Sequence, residues 1–186
     1  MTKWLSTLAL ISFLIASING NAQLTKFGGG FSLATGGQYI YNGYEYYNSS
    51  VGFDIRAEFD ITKSIKIVPN IQFYLPNTYE YNQNEESKTT LIALDLNGHF
   101  IIASSRKVDF YAIGGFHVGG WNIEDKHTDL FEGPLDNSAF KIDFAANLGA
   151  GIEIKITRQL AIFADLKYIV SNSNQLAFTP GLIYEF

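Results

Sequence analysis

Apolar and polar residues alternate along much of the chain. The segment VGFDIRAEFDI, residues 51–61, places Val51, Phe53 and Ile55 on one side of an extended chain and Asp54 and Arg56 on the other. Successive side chains of a β-strand point to opposite faces, so a period of two predicts a strand. The period alone does not say which face meets water.

The same period recurs in eight segments and predicts an all-β chain. A helix would space its apolar residues three and four apart, which these segments do not do. The predicted strands lie near Lys26–Tyr39, Ser50–Ile61, Ile65–Leu75, Thr90–Ile102, Val108–Trp121, Phe140–Ile156, Leu160–Ser171 and Leu176–Phe186.

Short and long connections alternate between these strands. The short ones are TKS, ASSRK and TRQ, and the long ones span 40–48, 76–88 and 122–139, while the final connection at 172–175 is brief. Short turns at one end, longer loops at the other and an even strand number are typical of outer-membrane barrels. The sequence therefore predicts an eight-stranded antiparallel up-and-down transmembrane β-barrel.

Side-chain size indicates which face meets lipid. An eight-stranded barrel is just wide enough for side chains to fill it. The polar rows combine charges with Gly, Ala and Asn, which fit that interior, whereas the apolar rows carry bulky Phe, Ile and Leu. Two aromatic belts are predicted, one of Tyr39, Tyr41, Tyr44, Tyr46, Tyr47, Tyr74, Tyr79, Tyr81 and Trp121 at the long-loop end, the other of Phe27, Phe100, Phe110, Tyr184 and Phe186 at the short-turn end.

The first 22 residues have the pattern of a secretory signal peptide. Lys3 precedes the apolar stretch from Trp4 to Ile18, and small residues lead to Ala22. The apolar stretch is short for a membrane helix, which needs about 20 residues. Cleavage after Ala22 is expected, leaving residues 23–186 as a single barrel domain.

Composition narrows the class further. There is no cysteine, so disulfides and thiolate metal sites are excluded, and the net charge of −5 without basic clusters argues against a nucleic-acid partner. An aromatic content of 15% with only 17% charged residues is unusual for a soluble exported domain and favours a lipid environment.

The last strand, LAFTPGLIYEF, places Phe178, Leu182, Tyr184 and Phe186 on one face and ends the chain on an aromatic residue. It resembles the C-terminal strand of bacterial outer-membrane proteins. With the signal peptide and the strand count, the chain resembles the small OmpA/OmpX-like barrels and the outer membrane protein beta-barrel domain family. The resemblance implies outer-membrane lipid as surroundings and recognition of the last strand by the barrel-assembly machinery.

If the polar rows face inward, the lumen contains many charges. Hairpin register places Asp60 opposite Lys66 and His99 near Asp109, pairs that stabilise a barrel by about 0.2–1 kcal/mol where water remains. We expect a packed polar plug with a structural role rather than an ion path. The predicted lumen residues are Asp54, Arg56, Glu58, Asp60, Lys66, Asp95, His99, Asp109, Lys141, Asp143, Glu153, Lys155, Asp165, Lys167 and Glu185.

The sequence predicts no enzyme and no cofactor. A hydrolase needs a nucleophile next to a base, and the three histidines are His99 and His117, both inward-facing, and His127 in the long loop. The stretch around His127 departs from the His-x-Ser pattern of the small-barrel lipid A deacylases. Hard cations accept carboxylate clusters, so Glu124, Asp125, His127 and Asp129 form a metal hypothesis, but their spacing does not match a calcium loop and no metal site is predicted.

The remaining hypothesis concerns the loops. Tyrosine offers a large contact area at little entropic cost, and GYEYY and TYEYN combine it with acidic residues. We expect a structural or surface-interaction protein with Tyr-rich extracellular loops. The alternatives are a soluble exported β-barrel that binds a small apolar ligand and a lipid-modifying outer-membrane enzyme.

Overall fold

The computed structural model describes the backbone of residues 23–41, 44–82, 85–129, 133–171 and 174–186 and the side chains of 24–35, 50–78, 87–124, 138–171 and 174–186. Among the residues that the structure describes, no helix is long and apolar enough to cross a bilayer. The strands are β1 Gln23–Tyr41, β2 Tyr44–Asp60, β3 Ile65–Tyr74, β4 Asn77–Asn82, β5 Glu85–Ser104, β6 Val108–Asp129, β7 Gly133–Lys155, β8 Leu160–Val170 and β9 Gln175–Glu185.

The nine strands form eight positions in the barrel wall, because β3 and β4 occupy one position. Both pair with β5: Phe73 is opposite Ile92, and Asn77 is opposite Thr89. The interruption falls at Pro76, which has no backbone N–H to donate to a neighbouring strand. The prediction of an eight-stranded antiparallel barrel is confirmed.

The wall closes on itself without a crossover. Apart from β3, which pairs with β2 and β5, each strand pairs antiparallel with the next, and β1 also pairs with β9, so that Phe27 is opposite Tyr184 and Leu33 is opposite Phe178. The seam of the barrel thus joins the two ends of the chain.

The bulky apolar residues face outward. Phe31 is 59% exposed and Phe144 is 74% exposed, whereas Asp54 and Arg56 are each 2% exposed. A soluble barrel would show the reverse, because its apolar row would be buried. The alternative of a soluble barrel around an apolar ligand is therefore wrong.

The long connections predicted from sequence are mostly strand. The β1–β2 hairpin continues to the pair Tyr41–Tyr44, and the β6–β7 hairpin continues to the pair Asp129–Gly133. These segments carry few apolar residues in alternation, since a strand beyond the bilayer does not need an apolar outer face. The sequence pattern therefore understates the length of the strands.

Two aromatic residues assigned to the outer belt lie inside the barrel. Tyr74 is 4% exposed and Trp121 is 3% exposed. Each shares its row with inward-facing residues, Gln72 and His117 respectively, and the period of two decides its direction. The side chains of the other seven predicted residues of this belt lie outside the described residues, and those of the short-turn belt face outward: Phe27, Phe100, Phe110, Tyr184 and Phe186.

Candidate functional site

Arg56 occupies the middle of the lumen. Its Nε donates to Asp54 Oδ1 at 2.9 Å and its Nη1 donates to Asp165 Oδ2 at 2.8 Å. The guanidinium also lies 3.7 Å above the ring centroid of Phe163, and the hydroxyl of Tyr111 donates to Asp165 Oδ1 at 2.6 Å. One cation thus joins β2 to β8 across the barrel, and its two carboxylate partners are 2% exposed.

A second cluster lies between Arg56 and the short turns. Lys66 Nζ donates to Glu58 Oε2 at 2.9 Å and lies 3.7 Å from Glu153 Oε2, while Lys26 donates to Glu153. Lys26 Nζ also lies 4.0 Å from Glu58 and 3.8 Å from Glu185. Two cations therefore bridge the buried carboxylates of two well-separated strands, β2 and β7.

A third cluster lies on the other side of Arg56, toward the long-loop end. Asp95 receives Lys167 Nζ on Oδ2 at 2.5 Å and contacts His117 Nδ1 through Oδ1 at 2.6 Å. All three side chains are almost completely buried. Because an isolated buried charge is costly, these contacts are what allow Asp95 to lie in the interior.

A chain of side-chain amides connects the Arg56 cluster to the third cluster. Asn147 donates to Asn97 Oδ1 at 2.9 Å, Asn97 donates to Asn70 Oδ1 at 3.1 Å, and Asn70 donates to Asp54 Oδ2 at 2.6 Å. Gln72 Nε2 adds a longer contact of 3.4 Å to the same Asp54 oxygen. Asn70 Nδ2 also lies 3.5 Å from Asp95 Oδ2, so these amides join the Arg56 cluster and the third cluster into one polar network.

Apolar side chains close the interior beyond the third cluster. Leu91, Trp121 and Ile169 are buried together with Tyr74 and two alanines. The Tyr74 hydroxyl bonds to Gln72 at 3.1 Å and Ser32 at 2.9 Å, so that its ring joins the apolar layer and its oxygen joins the polar one. We refer to Leu91, Trp121, Ile169 and Tyr74 as the apolar layer.

Glycine makes room for the largest lumen side chains. A Cβ at Gly151 would collide with the ring of Tyr111 and with Asp165 Oδ1, and one at Gly181 would collide with the ring of Phe163. Both contacts belong to the Arg56 cluster. The small inward residues of β7 and β9 are thus complementary to the aromatic residues that face them.

The predicted pairing of His99 with Asp109 is wrong. The turn closes with Ser105 N donating to Val108 O at 2.8 Å, and the register shifts between Ile101 and Ala103. As a result Asp109 accepts from Ser104 Oγ at 2.5 Å, while His99 stacks on Tyr111 with 4.4 Å between ring centroids.

Asp60 lies opposite Lys66 in the strand register, but the side chains do not pair. Lys66 reaches Glu58 and Glu153 instead, and Asp60 Oδ1 has no hydrogen-bond partner among the described residues. Asp143 and Lys141 are more exposed and lie farther along β7, beyond the buried clusters. Lys155 is partly exposed and lies 3.8 Å from Asp109.

Sequence reasoning missed several members of the network. Most of them are uncharged, so a search for charges did not find them, and Lys26 lies at the predicted start of the first strand; the period of two places all of them in the inward rows. The residues are Lys26, Asn70, Gln72, Asn97, Tyr111, Asn147 and Phe163.

The described residues offer little catalytic chemistry. His117 is held by Asp95, but no serine or threonine hydroxyl in the described part of the chain bonds to His117 or His99. Within the same residues, no group of three acidic or histidine side chains is placed to hold a metal. The side chains of Asp125, His127 and Asp129, from the sequence-based metal hypothesis, lie outside the described residues.

Comparison with known families agrees with this geometry. A model of the outer membrane protein beta-barrel domain matches residues 6–186. The chain belongs to the outer membrane protein beta-barrel domain family. This places the barrel in a bacterial outer membrane, where its outward apolar rows contact lipid and its short turns face the periplasm.

Solved structures of outer-membrane barrels share the fold. Ail of Yersinia pestis has a TM-score of 0.58 at 14% identity, covering 88% of this chain and 100% of that one. Neisserial surface protein A gives 0.58 at 12% identity, covering 90% and 100%. The N-terminal barrel of Pseudomonas aeruginosa OprF gives 0.53 at 17% identity, covering 89% and 100%. A search of curated proteins found no significant sequence match.

Proposed function

We propose that this outer membrane protein beta-barrel domain is a closed, non-enzymatic anchor that presents a β-sheet extension at the cell surface for interaction with a partner. The barrel itself supplies stability and position, and the extension supplies contact. Two kinds of observation support the proposal, one from the strand lengths and one from the interior.

The main support for the proposal is the unequal length of neighbouring strands. β7 has 23 residues and β8 has 11. Pairing of β7 with β8 stops at Ala146–Val170, whereas pairing of β7 with β6 continues to Gly133. About 9–11 tilted residues span a bilayer, so β8 is long enough to cross it and β7 continues well beyond.

The extension is chemically distinct from the membrane wall. It comprises the outer parts of β5, β6 and β7 together with β4, which pairs with β5. Residues 76–90 and 122–139 contain eight carboxylates and two lysines, and two tyrosines lie within β4. Acidic side chains with interspersed aromatic rings suit a neutral glycan or a cationic protein surface.

The charge of the extension distinguishes it from one structural neighbour. Ail has been crystallised with the heparin analogue sucrose octasulfate. A polysulfate would be repelled by the net negative charge of this extension. We therefore propose that this chain does not use a heparin-like ligand at the corresponding end.

Shortening the extension tests the proposal. Residues 125–137, which begin and end at the opposed pair Asp125–Asn137, are replaced by Asn-Gly, a favoured two-residue hairpin turn. We expect cells that express the variant to lose adhesion to host surfaces or capture of an envelope partner. A heat-dependent shift in gel mobility shows that the barrel still folds.

A matched variant separates shape from charge. Replacing the five carboxylates of residues 122–139 with amides keeps the extension and removes its charge, and deletion of Tyr41–Asn48 removes the tip of the other long hairpin. Adhesion and partner capture that are unchanged in all three variants would contradict a surface role.

We also propose that the polar network is a plug. The Arg56 cluster, the two neighbouring clusters and the apolar layer occupy successive levels of the interior, and their side chains are buried. Reconstitution in planar bilayers should therefore show no stable ion conductance. Steady single-channel currents from the unmodified protein would exclude the plug.

Biogenesis follows from the two ends of the chain. We propose cleavage after Ala22 and recognition of β9 by the barrel-assembly machinery through the outward residues Phe178, Leu182, Tyr184 and Phe186, which are all substantially exposed. N-terminal sequencing of the mature protein tests the cleavage. Deletion of Phe186 should lower the amount of folded protein in the outer membrane, and an unchanged amount would contradict the recognition.

A further inference from the structure

The three short turns share one construction. In each, a hydroxyl residue is followed directly by a basic one: Thr62-Lys63, Ser105-Arg106-Lys107 and Thr157-Arg158. The turns belong to three different hairpins that together surround the periplasmic end of the barrel. None of the three contains an acidic residue.

The hydroxyl of each turn holds the backbone that presents the cation. Thr62 Oγ1 accepts from the backbone N–H groups of Ser64 and Ile65, at 3.2 and 3.0 Å. Thr157 Oγ1 accepts from Gln159 and Leu160 in the same way, at 3.2 and 2.9 Å.

The third turn is capped by Ser105, whose Oγ accepts from Val108 N at 3.1 Å. These local side-chain to backbone bonds fix a tight turn. In all three turns the basic side chains are exposed at the tip.

The exposed apolar surface continues directly to these turns. Ile61 is 36% exposed, Ile102 is 72% exposed and Ile156 is 53% exposed, each at the edge of one turn. An exposed isoleucine is stable in the hydrocarbon of the bilayer rather than in water, so the tip of the adjoining turn lies at the level of the lipid headgroups. Lys63, Arg106, Lys107 and Arg158 therefore meet the headgroup layer of the periplasmic leaflet.

These four cations are not used inside the protein. The ion pairs that the described residues form involve Lys26, Arg56, Lys66, Lys155 and Lys167 but none of the four turn cations. Eight of the 18 acidic residues lie in the extension at the other end, and those nearest the turns, Asp60, Asp109 and Glu185, lie in inward rows. The periplasmic rim is thus cationic and available.

We propose that the four turn cations bind the phosphates of anionic phospholipids in the periplasmic leaflet and form a headgroup-binding ring around the barrel. Lysine and arginine interact strongly with phosphate, arginine through paired N–H groups. Basic residues next to a membrane surface attract anionic lipid, and this attraction falls off within a Debye length. Fixed turns at headgroup depth place the charges where this attraction is effective.

Lipid selectivity measured by electron spin resonance tests the ring. The full chain is purified from outer membranes and reconstituted in phosphatidylcholine with spin-labelled phosphatidylglycerol or spin-labelled phosphatidylcholine. We expect about a threefold preference of the protein-bound lipid shell for phosphatidylglycerol. The preference should disappear in high salt, which requires no variant.

Variants assign the preference to the turns. K63Q/R106Q/K107Q/R158Q should remove the preference while the heat-dependent gel shift is retained, and K88Q/K126Q, at the opposite end, should leave it unchanged. If the quadruple variant fails to fold, K63Q/R158Q is expected to reduce the preference. Equal affinity for both lipids in the unmodified protein, or an unchanged preference in K63Q/R106Q/K107Q/R158Q, overturns the proposal.

A cell-wall partner gives a different result. If the turns instead bound the carboxylates of peptidoglycan, the quadruple variant would lose sedimentation with isolated cell-wall sacculi and would keep its lipid preference. That outcome overturns the phospholipid ring in favour of a cell-wall contact.

Discussion

The two ends of the barrel interior are closed by different chemistry. Toward the periplasm, Lys26 and Lys66 bridge Glu58 and Glu153, whereas toward the outside Leu91, Trp121 and Ile169 pack without charges. A buried ion pair depends on geometry, since each charge is costly without its partner. Apolar packing depends on volume and tolerates small shifts. The ion pairs at the periplasmic end thus specify which strands face each other, and the apolar layer closes the other end of the lumen.

The largest effect should come from the cation between these ends. Arg56→Ala leaves Asp54 and Asp165 buried without their shared partner, which should lower the free energy of unfolding by about 3–5 kcal/mol. Denaturant titration of the protein in detergent measures the change. Arg106→Ala, on an exposed turn, is the matched control and should have little effect on stability. An unchanged unfolding temperature together with increased conductance would contradict the plug.

The apolar layer should respond somewhat less. Trp121→Ala removes the largest side chain of the layer and leaves a cavity, at a cost of about 3 kcal/mol. Leu148→Ala, at a lipid-facing position that is 58% exposed, serves as a control and should cost less because lipid fills the space. Equal losses in the two variants would show that the layer is not packed as a seal.

In the periplasmic cluster, Lys26 and Lys66 can partly substitute for each other as ion-pair partners. Lys66→Met should lower stability by about 1–2 kcal/mol, because Lys26 still contacts Glu153 and lies near Glu58. The double variant Lys26→Met/Lys66→Met should lose more than the sum of the single changes, since it leaves both carboxylates unpaired. Additive losses in a double-mutant cycle would show that the two lysines act independently.

The smallest effect should come from the turn hydroxyls. Thr62→Ala removes an acceptor of two backbone N–H groups and should cost about 0.5–1 kcal/mol. Thr157→Ala should cost the same amount because the two turns are built alike. Thr62→Ser keeps the hydroxyl and should retain most of the stability. A large loss in only one turn would show that the turns are not equivalent.

Local pattern predicted much of the fold but less of the site. Alternation identified eight strands and their outward faces, because each strand must match lipid on one side. The same alternation predicts that Trp121 points inward, because it lies in the row of His117. Its position near a long loop instead suggested a place in the aromatic belt. The pairing of Arg56 with Asp165 lies beyond local reasoning, because the two residues are 109 positions apart. The closed barrel, not the hairpin, brings them together.

The irregular turn after β5 shows a second limit. A register counted from the ends of the turn assumes that both strands stay regular, and the shift between Ile101 and Ala103 breaks that assumption. The hairpin also closes more tightly than the five-residue stretch ASSRK suggests, at Ser105–Val108, which places Asp109 opposite Ser104 and away from His99. No residue type in this stretch indicates a register shift, so the sequence pattern did not predict it.

The pairing of β1 with β9 has a consequence for the timing of assembly. β1 stays unpaired on one side until β9 is present. A sheet of the first seven strand positions therefore has two open edges, and unpaired backbone groups at such edges are costly in hydrocarbon. Closure of the wall therefore requires β9. A chain that stops before residue 175 would lack β9 and leave one edge of β1 unpaired, so the barrel can close only after β9 has been made.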